Sequence, residues 1–165
     1  MDKTLVSLIP LAIGLIVVGV VISSLLRSNN DLGLWLLAGF LVSHGLIHLL
    51  FFVPVPAASA TGPAWPFDLG QSWLVHAGLD ATAVRAVGAV LVVAVVACFA
   101  LAGLATASVV VPTDWWRALV AVSAIVSVLT LALFFDPQLL LGLGIDGVLL
   151  YVVASAAWAP AAAAS

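Results

Sequence analysis

Charge is what this chain has least of. Lys and Arg together number four and Asp and Glu seven, so only 7% of the 165 residues carry charge. A soluble domain carries about 25%. So few charges cannot clothe a water-facing surface. Four scattered cations also leave no patch to neutralise a phosphate backbone or an anionic membrane surface, which argues against nucleic acid as a partner. Cysteine is nearly missing as well. Cys98 stands alone inside an apolar run, so an intrachain disulfide and a cysteine-based zinc cluster are both excluded. It reads as a small buried hydrophobe. Histidine totals three, too few for the repeated boxes of membrane di-iron enzymes. No Gly-x-Ser-x-Gly elbow and no serine–lysine pair is present, and no catalytic set emerges.

What is present is apolar. Hydrophobic residues make up 65% of the chain and the mean hydropathy is +1.38, so the solvent of this protein is largely lipid. A helix needs about 20 apolar residues to cross the hydrocarbon core. That length predicts an all-α, polytopic helical bundle, a single transmembrane domain over 1–165, with spans at 5–26, 33–53, 81–108, 115–135 and 138–158. The first run follows Lys3 and is about 22 residues long, beyond the 7–15 residues of a signal core. It ends in R-S-N-N rather than a small-residue cleavage site, and is read as a retained span.

The breaks have local causes. Asp31 follows a polar turn and is positioned to cap the second helix. The stretch P-V-P-A-A-S-A-T-G-P-A-W-P holds four prolines in thirteen residues, which no helix tolerates. Thr113 or Asp114 is the expected cap of the fourth helix, and Asp136 with Pro137 opens the fifth. The tail 159–165 is expected to fray. Small residues at helical spacing (Gly14 and Gly19, Gly39 and Ser43, Ser123 and Ser127, Gly142 to Gly147) mark where helices would approach closely in lipid.

Orientation is nearly balanced. Lys3 and Arg85 fall on one side, Arg27 and Arg117 on the other. The loop 54–80 contains no Lys or Arg, and a cation-free loop translocates readily. That tips the expectation toward a multi-pass protein of the cell membrane with its N-terminus out and C-terminus in.

The costly side chains gather by depth. Reckoned at 1.5 Å per residue from the face that carries the long loop, His48 lies about 8 Å down the second span and His44 about 14 Å. Arg85 lies about 7 Å down the third, and Asp146 about 14 Å down the fifth. His76 belongs to the loop on the same face. An Arg or Asp near mid-span costs about 2.5–3.5 kcal/mol and normally faces the bundle interior. Arg85 has a bland alternative, snorkelling to the interface. Asp146 is flanked by L-G-L-G-I and G-V-L-L-Y, with neither turn nor interface to explain it.

His44, His48, Arg85, Asp146 and His76 therefore form the candidate polar cluster. The two histidines stand four residues apart and share a helix face. Gly45 occupies the position where zinc peptidases of that spacing carry a catalytic Glu, so that hydrolysis is excluded. Two neighbours on one helix cannot ligate both faces of a haem, though one of them with His76 is conceivable. His44, His48 and Asp146 would suit a divalent metal, but no cofactor is favoured over neutral histidines bonded within the bundle.

Trp65 and Trp73 in the loop, with Trp115 and Trp116 at the other end, suit the headgroup layer. Residues 70–78 are expected to form a short interfacial helix, an anchor or a lid.

H-G-L-I-H-L (44–49), P-A-W-P-F (63–67), S-W-L (72–74) and the L-F-F-D-P turn (133–137) together resemble a family of small bacterial multi-span membrane proteins. The resemblance covers spans two to five and implies a helical membrane fold. It brings no activity, cofactor or catalytic residue. Three functions stand open: a non-enzymatic accessory or assembly subunit, a small permease-like carrier using the His/Arg/Asp cluster, and a metal- or haem-binding redox component. Lipid is the one partner the composition names, with a membrane-protein partner or a second copy of the chain left open.

Overall fold

The computed structural model describes residues 31–56 and 65–155, together with Gly14, Ile16, Gly19 and Pro160. Within that range lie four long apolar helices and one short one. Helix α1 (Asp31–Ile47) tightens at its end into a 3-10 segment, His48–Phe52. A single turn, α2 (Trp73–His76), interrupts the loop. Helices α3 (Ala81–Thr106), α4 (Trp116–Leu133) and α5 (Leu140–Ser155) follow. With their 3-10 extensions the long segments are Leu32–Phe52, Ala81–Thr106, Thr113–Leu133 and Pro137–Ser155. Each is long and apolar enough to cross the hydrocarbon core. The protein is an all-α, multi-span membrane protein. The span expected at 5–26 lies outside the described residues, except that Gly14, Ile16 and Gly19 are helical. So do the side chain of Asp31 and, apart from Pro160, the tail.

Helix boundaries follow from caps. The Asp80 carboxylate accepts from Ala83 N–H at 2.8 Å and opens α3. Asp136 accepts from Gln138 N–H at 2.8 Å, with Pro137 at the first position of the turn before α5. The cap expected of Thr113 or Asp114 is not made. A 3-10 turn over Thr113–Trp115 leads into α4 without a side-chain cap, and the Thr113 hydroxyl turns back to Ser108, 2.8 Å away. On that face of the bundle α3 ends with Ser108 and Val110 at positive φ, +58° and +63°.

Helix α3 packs against both α1 and α4, and α5 packs on α4. Contact with α1 rests on glycines. A Cβ on Gly45 would lie 2.6 Å from the Phe99 Cβ, and one on Gly103 would lie 2.9 Å from the Ala38 carbonyl oxygen. Gly39 and Ser43, also expected at a contact, point away from the other described residues. The interhelical face of α1 is the one bearing Ala38, Leu41, His44, Gly45 and His48.

Two apolar clusters stack along the bundle. One gathers Leu41, Phe99, Ala124 and Ile145 among others; the second, on the loop side, gathers Phe51, Val92, Leu131 and Phe134. The loop is fastened to that second end. Ser72 donates to the Leu133 carbonyl at 2.7 Å and the Trp73 indole to the Ala132 carbonyl at 2.9 Å. These are last-turn carbonyls of α4 that have no partner within the helix. At the opposite end Arg117 donates to the Val153 carbonyl at 2.7 Å, tying the start of α4 to the end of α5.

Candidate functional site

Between the two apolar clusters lies a layer of polar side chains contributed by α1, α4 and α5. His44 Nε2 is 3.0 Å from Asp146 Oδ1. Ser127 Oγ is 2.6 Å from Asp146 Oδ2 and 2.9 Å from His48 Nε2. His48 Nδ1 donates to the His44 backbone carbonyl at 3.2 Å. The four side chains thus form one connected network. Asp146 and Ser127 are 0% exposed, His48 3% and His44 5%.

Each member is placed by its helix. The four-residue spacing of the histidines sets both imidazoles on the α1 face that meets the bundle. Gly45 beside them lets the Phe99 side chain of α3 approach, and that ring meets the His44 ring edge-on at 4.9 Å. Phe40 stacks near-parallel to His44, centroids 6.1 Å apart. On α4 the hydroxyls of Ser123 and Thr130 turn back to carbonyls of their own helix, Leu119 and Val126. Ser127, on the same face, reaches across instead. The backbones of α1 and α5 scarcely meet, so the His44–Asp146 bond is a side-chain bridge over a gap.

That gap is a cavity of about 150 Å³, roomy enough for several waters at ≈ 30 Å³ each. Its wall includes His44 and His48 from α1, Phe67 from the loop, Leu131 from α4, and Gly142 and Ile145 from α5. Gln138 lines it as well, and apart from that side chain and the imidazoles the wall is apolar.

The remaining candidates stand elsewhere. Arg85 is exposed on α3 and its guanidinium lies over the 68–70 turn, 2.9 Å from where a Gly70 Cβ would be. His76 is exposed in the loop and donates through Nδ1 to the Ser72 carbonyl at 3.1 Å. Of the tryptophans, Trp73 and Trp115 are exposed and Trp65 is half-buried, its indole N–H without a partner among the described residues. Trp116 is buried in the first apolar cluster. Among the described residues no group of three or more His, Cys, Asp or Glu side chains is arranged to hold a metal ion. Both ring nitrogens of His48 are committed, to a carbonyl and to Ser127.

Ser127 is the member that sequence reasoning undervalued, taking it for a small residue at a helix contact. A signal was available. Ser127 precedes the end of α4 by six residues, about 9 Å below the loop face at 1.5 Å per residue. The depth reckoning, extended from ionisable groups to hydroxyls, puts it level with His48.

Comparison with protein families, curated proteins and solved structures returns no match to this chain. The likeness to small bacterial multi-span proteins therefore stands only in its coarse form, four long apolar helices of a multi-span membrane protein.

Proposed function

We propose that this protein is a non-enzymatic, proton-linked membrane carrier whose buried His44–Asp146–Ser127–His48 network is the proton-binding element. One observation carries the reading: a connected chain of titratable and hydroxyl groups at mid-bundle that borders a cavity through two imidazoles. Ionisable residues inside a bilayer are costly and mark proton and ion pathways more often than decoration. The cavity supplies the place where water or a small solute would meet the network. The apolar walls suit a small, weakly polar solute better than a strongly hydrated ion.

A second reading is favoured by the completeness of the bonding. In an accessory or assembly subunit the same side chains would lock α1 to α5, and the partner would be another membrane protein. The experiment that separates the two is flux. Purified protein in liposomes loaded with a pH-sensitive dye is given a proton gradient, and Asp146→Asn and His48→Ala are compared with the wild type. The carrier reading expects uptake that both substitutions abolish. Wild-type liposomes as tight as empty ones would leave the accessory reading, and flux indifferent to both substitutions would remove the network from the proton path.

A further inference from the structure

The network can be counted proton by proton. Four hydrogen bonds join its members: His44 to Asp146, Asp146 to Ser127, Ser127 to His48, and His48 to the His44 carbonyl. Each bond needs one proton. A carbonyl only accepts, so the last bond fixes a proton on His48 Nδ1. Two neutral imidazoles, one hydroxyl and a carboxylate bring three protons to these four bonds and leave the cluster at charge −1. A fourth proton fills every bond and brings the charge to zero. In a layer buried between two apolar clusters, a neutral and fully bonded cluster is strongly preferred to an anionic one with an empty bond.

The extra proton has two places where all four bonds are kept. It sits on His48 Nε2, which then donates to Ser127, while Ser127 donates to Asp146. Otherwise it sits on Asp146 Oδ2, which donates to Ser127, while Ser127 donates to His48. A second proton on the His44 ring fills none of the four, because Ser127 has one hydrogen for two bonds.

We infer that the Ser127 hydroxyl is a proton relay, passing one proton between His48 and Asp146 inside the bundle. In the step, the His48 Nε2–H bond breaks as a new O–H forms on Ser127. The original Ser127 O–H breaks in turn as its proton joins Asp146 Oδ2. An imidazolium and a carboxylate become an imidazole and a carboxylic acid, with net charge zero before and after. The groups facing the relay are His44 from α1 and Asp146 from α5, while α3 presents Phe99 to the His44 ring. The inference rests on the proton-linked reading above and assigns the residue through which the proton moves.

The test is spectroscopic and does not need transport. Protein in lipid nanodiscs is observed by infrared difference spectroscopy for the protonated-carboxyl stretch of Asp146, assigned by its loss in Asp146→Asn. Nitrogen-15 NMR reports the His48 imidazolium. The relay expects both forms in the wild type, one rising as the other falls with temperature. Ser127→Ala should cut that exchange at least about tenfold, and Ser127→Thr, which keeps the hydroxyl, should restore it. A proton found on one end only, a cluster holding no extra proton, or exchange undiminished in Ser127→Ala would each overturn the inference. If the alanine variant does not fold, Ser127→Val, which has the shape of threonine without the hydroxyl, replaces it with the same expectation. Exchange without liposome flux would leave the relay standing and end the carrier reading. Flux that persists in Ser127→Ala would do the reverse.

Discussion

Asp146 is the residue on which the polar layer turns, because both of its oxygens are used and none of its surface reaches solvent. Removing it strands two donors at once. Asp146→Ala should lower stability in detergent, measured by SDS-titrated unfolding, by about 3–5 kcal/mol, as for a buried pair that loses one partner. Asp146→Asn keeps an acceptor for His44 and should cost only about 1–2 kcal/mol. Equal losses from the two would mean that the carboxylate itself is required, since asparagine keeps both its volume and an acceptor. The histidines were legible as residues at the right depth and on one helix face. Their commitment to Ser127 was not, because three hydroxyls share that face of α4 and only packing decides which one leaves its own helix.

Among the elements, the α1–α3 crossing is held by absence of side chain rather than by attraction between large ones. Gly45 marks its closest point, where an added Cβ would sit 2.6 Å from Phe99 Cβ. Gly45→Ala should therefore destabilise by about 1–3 kcal/mol through overpacking and pull the histidines off their partners. Gly39→Ala, on the same helix with none of the described residues within 4 Å of an added Cβ, should be neutral or gain up to about 1 kcal/mol from helix propensity. Thermal unfolding of the two variants side by side checks the pair. The turn after α3 stores strain. Val110 is β-branched, 94% exposed and held at φ +63°, a conformation costing about 1–2 kcal/mol for a residue with a Cβ. Val110→Gly should raise the unfolding temperature, worth about 1 kcal/mol after the added chain entropy of glycine. A lowered temperature would show that the valine side chain contributes more than its exposure indicates.

For the whole molecule, the arrangement fixes which segments share a side of the membrane. The loop is bonded to the end of α4, so Gln71 and Gln138 belong together and Asp114 lies at the other end of α4. Cysteines placed singly at these positions, in a Cys98→Ala background, should be labelled by a membrane-impermeant reagent in two groups. Positions 71 and 138 should react from one side and position 114 from the other. Labelling of 71 and 114 from the same side would break the topology. The same experiment on right-side-out vesicles decides the insertion direction, which four balanced cations cannot.

The amino-acid order alone decided the solvent of this protein and, among the described residues, the breaks between its helices, though not the cap expected of Thr113 or Asp114. Both are local properties: apolar run length sets a crossing, and prolines and capping aspartates set its limits. Depth along a helix is local too, which is why His44, His48 and Asp146 could be assigned to one leaflet before any contact was known. Direction around the helix axis is not. Lipid and protein interior are equally apolar, so an apolar sequence carries no stripe to say which face turns inward. Only the packing of α1 through Gly45, and of α4 and α5 against each other, turned the imidazoles, the Ser127 hydroxyl and the Asp146 carboxylate toward one another. It left Arg85 and His76 outside that layer for the same reason.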